Sequence, residues 1–247
     1  MPSSRPPPIQ HDPTLVRPEI AGPDSGPLAP YPIYLTGWVS RGFGRGSKDL
    51  GCPTANLPDD VIEPYLEQVD TGVYFGFARV VEPGRSNDND DDDATRRSRS
   101  AFPGRSSGDG PEDKGEHEHD QVFPMVMSIG WNPFYNNDSR TAEVHILHEY
   151  PSDFYGKELR VVMLGFVRPE YNYSSMDALI KDIDTDKRVA LASVADDATR
   201  PNYATYKDDP FFYKASELRE PTIEERVELA RKRVDPRDEA KEGARDA

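Results

Sequence analysis

Val73-Tyr-Phe-Gly-Phe-Ala-Arg-Val-Val81 is the stretch on which the fold turns. It is apolar on both alternating faces, with Gly76 and Ala78 as its small members. Such a strand suits a tightly curved sheet or barrel, in which neither face meets water. Strand-like runs lie on either side of it: Tyr34–Ser40 before, and Val122–Gly130, Ala142–Glu149 and Glu158–Arg168 after. A short helix fits within Asp59–Val69, limited by Pro64. A longer one is predicted over Ser175–Val194. There Met176, Leu179, Ile180, Ile183, Ala190, Leu191 and Val194 fall mostly on one face, behind Ser174 or Ser175 as N-cap. Several short strands followed by one helix predict a mainly β fold, a small barrel or sandwich over roughly 34–168 with the helix outside it.

The remainder of the 247 residues cannot all be core. Hydrophobic residues make up 35%, and Pro and Gly number 24 and 18; mean hydropathy is -0.78. That apolar share is below the usage of a compact domain. Residues 1–30 carry Pro at 2, 6, 7, 8, 13, 18, 23, 27 and 30, which predicts a disordered, extended arm. Residues 83–120, with the acidic run Asp90–Asp93 and Arg/Ser stretches, bury too little apolar surface to offset ordering and read as a disordered insertion. The organisation expected is therefore an arm (1–30), a barrel domain (31–195) and a polar extension (196–247). In the extension Glu220–Val234 is the candidate helix, with nothing that obliges it to pack.

Thirty basic residues against 45 acidic ones give a net charge of -15 and a pI near 4.8. A field of that sign repels phosphate backbones and anionic membranes, so no nucleic-acid partner is expected. The single cysteine, Cys52, excludes an internal disulfide and a thiolate zinc site. No apolar run reaches the roughly 20 residues of a membrane helix, and the N-terminus has neither signal nor transit character. The expectation is an intracellular, cytoplasmic monomer, with organellar association left open.

Chemistry is concentrated in Gly42-Phe-Gly-Arg-Gly-Ser-Lys48 and the following Gly51-Cys-Pro-Thr-Ala-Asn-Leu57. Closely spaced glycines let backbone N–H groups approach an anion. Arg45 and Lys48 add positive charge, and Thr54 and Asn56 offer the hard oxygens that Mg²⁺ prefers. On spacing alone a solvated glycine turn explains the pattern equally well. The loop is neither a Walker A sequence nor a full dinucleotide fingerprint.

These motifs, with Leu50-Gly51, Thr71-Gly-Val-Tyr74, Ser128-Ile-Gly-Trp-Asn-Pro133, Glu143-Val-His145, Asp153-Phe-Tyr-Gly156 and Arg168-Pro-Glu170 in that order, resemble the riboflavin kinase (flavokinase) family from about Gly37 to Ala192. The resemblance implies a six-stranded Greek-key β-barrel with a C-terminal helix outside. It implies transfer of the γ-phosphoryl of ATP to the 5′-hydroxyl of riboflavin, giving FMN and ADP. By motif, Gly42, Lys48 and Thr54 would lie on ATP, and Thr54 and Asn56 would hold the metal, Mg²⁺ or Zn²⁺ in its place. Glu143 would be the general base. Ile146, His148 and Tyr155 would contact the nucleotide, and Arg168, Tyr171 and Tyr173 the flavin, the last three on a looser match.

Other features have plainer explanations. His145 and His148 lie on opposite faces of one strand and are not expected to share a metal. Glu116-His-Glu-His119 sits in the acidic insertion and reads as solvated. A non-catalytic flavin- or nucleotide-binding adaptor on the same barrel would be expected to lack Glu143, Thr54 or Asn56, and all three are present. A second, FAD-forming activity would need a domain larger than the 30-residue arm.

Overall fold

The computed structural model of the chain describes residue 7 and residues 9–42, 53–81, 121–131, 140–195 and 199–231. In chain order the strands are β1 (Ile9–Gln10), β2 (Ile33–Trp38), β3 (Ala55–Leu57), β4 (Gly72–Val81), β5 (Phe123–Trp131), β6 (Arg140–Ile146), β7 (Glu158–Pro169) and β8 (Tyr171–Asn172). The helices are α1 (Asp59–Ile62), α2 (Met176–Ser193), α3 (Pro201–Ala204) and α4 (Ile223–Ala230), with short 3₁₀ turns between them.

Six strands form one curled antiparallel sheet in the order β2-β7-β4-β5-β6-β3. The meander β4-β5-β6 with β7 returning to lie beside β4 is a Greek key. An isolated bridge between Ser40, just past β2, and Asn56 of β3 links the two edges of the sheet. Register shifts at Val73/Tyr74 and Phe75/Gly76 of β4 add the local bend that curling requires.

Strand β4 is buried on both faces, as its apolar pattern demands. Its inner face meets a core that includes Leu35, Tyr74, Met127, Val144 and Val161. Its outer face, with Val73, Phe75 and Phe77, meets Val189, Ala190 and Val194 of α2 and Tyr203 and Phe212 from beyond it. Helix α2 starts where Ser175 accepts a hydrogen bond from Ala178 N–H.

The buried stripe of α2 differs from the apolar one expected. It runs through Asp182, Asp186, Val189, Ala190 and Ser193, whereas Met176 and Leu191 are exposed. Two of its five members are carboxylates because the partners there are cations, and one of them comes from the N-terminal arm.

That arm is not the disordered segment its composition predicts. From Ile9 to Tyr31 it packs along the domain through a succession of turns, Leu15 N–H to the Asp12 carbonyl, Gly26 N–H to Pro23 and Tyr31 N–H to Leu28, with β1 pairing β8 in parallel. Arg17 meets Asp186 at 2.6 Å and Asp182 at 3.3 Å, and Ala21 is buried with its N–H on Ser193 Oγ. Proline sets an extended backbone but does not stop an extended chain from docking.

The C-terminal extension also packs, against expectation. Arg79 and the fully buried Arg160 donate to the carbonyl of Phe212, and Arg160 also to those of Phe211 and Lys214. Glu158 Oε1 balances Arg160 at 2.6 Å. The insertion 83–120, with its Glu116–His119 tract, lies outside the described residues. It joins β4 to β5, whose ends are paired at Ala78 and Phe123.

Candidate active site

One register row crosses the outer face of the sheet: Arg168 (β7), Val73 (β4), Ser128 (β5), Glu143 (β6) and Asn56 (β3). Directly paired residues point to the same face, so alternation decides which side chains share this surface. Ala142, Val144 and Ile146 turn into the barrel, leaving Glu143 outside with α2 and the loops.

Glu143 is half-buried, and its Oε2 accepts a hydrogen bond from Thr54 Oγ1 at 3.3 Å. Burial pushes its carboxyl above the ordinary carboxylate range, and the Thr54 bond returns part of that shift. Beside it, His145 Nδ1 lies 2.8 Å from the Pro53 carbonyl, which ties the Pro-Thr-Ala-Asn segment to β6. Burial lowers the basicity of His145, the Pro53 contact raises it, and the charge of Lys187 on α2 lowers it again.

Gly42 lies against the Asn56 amide. A Cβ at Gly42 would come within 2.5 Å of Asn56 Nδ2 and 3.0 Å of Oδ1. A side chain at position 42 would displace that amide from its place beside the start of the loop. Thr54, Asn56, Glu143 and Gly42 are thus brought together, although 89 residues separate Thr54 from Glu143. Lys48 lies outside the described residues.

The expected nucleotide contacts are dispersed. Ile146 is buried in the barrel core, so its side chain does not share the face of Glu143. His148 stacks on Phe123 at 3.9 Å, in an aromatic group with Tyr150. Tyr155 lies beneath the Arg41 guanidinium, 5.5 Å from its ring centroid, and therefore near the start of the glycine loop.

The expected flavin residues form a closed group of their own. Arg168 donates to both oxygens of Asp186 at 2.7–3.1 Å and lies over the rings of Tyr171 and Tyr173. Burial disfavours its charge, but the Asp186 and Asp182 interactions outweigh burial. Tyr173 O–H donates to Asp182 at 2.7 Å. The arm completes the group: the His11 ring lies 4.9 Å from that of Tyr173, with its Nε2 3.6 Å from Asp182. His11, Arg17, Asp182 and Asp186 were not anticipated. The signal available for the two aspartates was their i, i+4 spacing along the buried side of an otherwise amphipathic helix.

The site is thus a desolvated carboxylate beside a hydroxyl and an amide, at the root of a glycine-rich loop. It belongs to the class that can take a proton from an alcohol next to hard-oxygen donors. A model of the riboflavin kinase (flavokinase) family matches residues 29–194. A riboflavin kinase of Pyricularia oryzae is 48% identical over 72% of this chain and 78% of its own length. One of Emericella nidulans is 40% identical over 79% of this chain and 91% of that relative. The crystal structure of riboflavin kinase from Trypanosoma brucei aligns at 22% identity and a TM-score of 0.49, over 76% of this chain and 93% of that one. The chain belongs to the riboflavin kinase family. Among the described residues no helix is long and apolar enough to cross a membrane.

Proposed function

We propose that the protein is an ATP:riboflavin 5′-phosphotransferase in which Glu143 is the general base. The observation that carries this is the position of Glu143: half-buried, raised in pKa by that burial, and bonded to Thr54 beside Asn56. A carboxylate with a raised pKa is a better proton acceptor than a solvated one, and it is still ionised above that pKa.

The riboflavin 5′-oxygen attacks the γ-phosphorus of ATP. Its proton passes to a Glu143 carboxylate oxygen as the new O–P bond forms. The bond from the γ-phosphorus to the β,γ-bridging oxygen breaks, leaving ADP and FMN. Little covalent work falls to the protein, so positioning and charge neutralisation dominate.

Thr54 and Asn56 would hold Mg²⁺, a choice supported by their neutral hard oxygens and by the placement of the Asn56 amide at the start of the glycine loop, against Gly42. When bound, the ion supplies charge neutralisation on the phosphates. Arg168, Tyr171 and Tyr173 lie toward the flavin. Arg168 is three strands from Glu143 on one row, at most about 15 Å at the usual strand spacing, a distance that an extended flavin with its ribityl chain spans. Gly42 and Tyr155 lie toward the nucleotide.

The test is incubation of the pure protein with riboflavin, ATP and MgCl₂, followed by chromatography. FMN formed in step with ADP is expected. Flavin binding without turnover would make the chain an adaptor and overturn the proposal.

A further inference from the structure

The C-terminal helix α4 lies outside the segment that matches the family model, 29–194, yet it touches the nucleotide side of the site at two places. Helix α4 is eight residues long and built on its own terms. Thr222 and Glu225 form a reciprocal capping box at its start. At its end the carbonyls of the last turn have no partner within the helix. One of them, that of Leu229, accepts the backbone N–H of Arg41 at 2.7 Å. Arg41 directly precedes Gly42, the residue that sits against Asn56.

The second contact is at Gly156, which adopts φ +76°. A Cβ at this position would meet Arg226 Cγ at 3.6 Å, so the turn lies under the stem of Arg226. Gly156 N–H in turn donates to the carbonyl of Val39, two residues before Arg41. The Arg41 guanidinium covers the ring of Tyr155. Helix α4, the root of the glycine loop and the Tyr155–Gly156 turn therefore form one closed set of contacts. The outer residues of α4, Ile223 and Val227, are exposed and add nothing to it.

We infer that α4 is a brace for the nucleotide subsite, with Leu229 and Arg226 acting as positioning groups that hold the root of the glycine-rich loop and the Tyr155 turn in register for ATP. This rests on the reading of Gly42 and Tyr155 as nucleotide-side residues. The helix does not touch substrate. It acts by restricting Arg41 and Gly42, so its loss weakens ATP binding and leaves the flavin end, at the opposite end of β7 from Gly156, unchanged.

Val227 allows a test in the full-length protein. Its side chain is exposed, so Val227→Ala keeps the helix, whereas Val227→Pro breaks an eight-residue helix in its interior. Val227→Pro is expected to raise KM for ATP by about three- to tenfold, the worth of one backbone hydrogen bond. KM for riboflavin, kcat and Tm should stay near wild type, and Val227→Ala should match wild type throughout. An unchanged KM for ATP, or equal rises in both KM values with a fall in Tm, would overturn the brace. Gly42→Val, which pushes a side chain into Asn56, separates this from failure of the site reading. If it raises KM for ATP while Val227→Pro does not, only the brace is wrong. If neither does, the nucleotide assignment itself falls and the brace with it.

Discussion

The two ends of the outer row differ in how their charged groups are held. At the flavin end Arg168 is held by Asp186 and flanked by two tyrosines, and the arm adds Arg17 and His11 to the same pair of aspartates. At the Glu143 end a carboxylate has one hydroxyl partner at 3.3 Å and a pKa raised by burial. The first arrangement is a buried ion network, which fixes shape, although among the described residues Arg17 Nε and Nη1 have no hydrogen-bond partner in it. The second is a carboxylate held, among the described residues, by one hydroxyl bond, and a carboxylate held that lightly is free to take a proton from something else. With Glu143 as the proposed base, one face of one sheet would separate scaffold from chemistry along its length.

The largest effect expected from breaking this contrast is on stability, at the closed end. Asp186→Ala leaves two buried guanidinium groups, Arg17 and Arg168, short of their main partner. Removing one member of a buried ionic set costs about 3–5 kcal/mol. Thermal or urea unfolding should show a large drop. Loss of less than about 1 kcal/mol, the range of exposed pairs, would mean the network is a surface feature despite its burial.

The next effect is on turnover, at the open end. Glu143→Gln keeps shape but removes the proton acceptor, and kcat should fall roughly 10²-fold or more. Riboflavin affinity, read from flavin fluorescence, should barely change, because the interaction matters in the transition state. Stability has the opposite sign from Asp186→Ala. A carboxyl whose folded pKa lies above its unfolded value contributes fully only at acid pH and loses that contribution as pH rises through the folded pKa. At neutral pH the ionised, half-buried Glu143 opposes folding, so Tm of Glu143→Gln should equal or exceed that of wild type. A fall in Tm together with kcat would make Glu143 a structural residue.

The same contrast governs what was legible in the sequence. Strand β4 declared itself because both of its faces are apolar, and α2 because of its amphipathic pattern. Glu143, Thr54 and Asn56 stood out through motif order, since a lone glutamate in a strand reads as solvated. The closed end was hidden for a physical reason. Its partners lie far apart in the chain, 169 residues in the case of Arg17 and Asp186, and each looks solvent-directed alone. A Pro-rich arm and a polar tail announce an extended or irregular backbone but not where it docks. The aromatic pair Phe211–Phe212 in the tail was the available sign of packing, and the two arginines that capture it lie on β4 and β7.

A smaller effect should appear in the pH profile. If Glu143 is the base proposed above, it must be ionised to act, and kcat should fall as pH drops through its raised pKa. The acid limb should therefore lie above the usual carboxylate range. The Thr54 hydroxyl favours the ionised form. Thr54→Val removes that bond and should move the limb to still higher pH, whatever it does to the plateau rate. A limb that stays in place, or moves down, would show that another group controls the titration.

The smallest effect is expected between β4 and β5. These strands pair from Gly72 with Ile129 out to Ala78 with Phe123, so the chain ends that the insertion joins are already held together by the sheet. Closure entropy grows only by about 0.6 kcal/mol per doubling of loop length. Replacing residues 83–120 by a short Gly/Ser turn should therefore leave kcat and both KM values within about twofold and raise stability by no more than roughly 2 kcal/mol. None of the groups in the outer row belongs to that stretch, and Ser128 and Glu143 keep their register through the pairing of β5 with β6. If the shortened protein folded with normal Tm but lost activity, the insertion would belong to the reactive end of the row. The division between a closed flavin-side scaffold and an open Glu143 end would then have to include a third part.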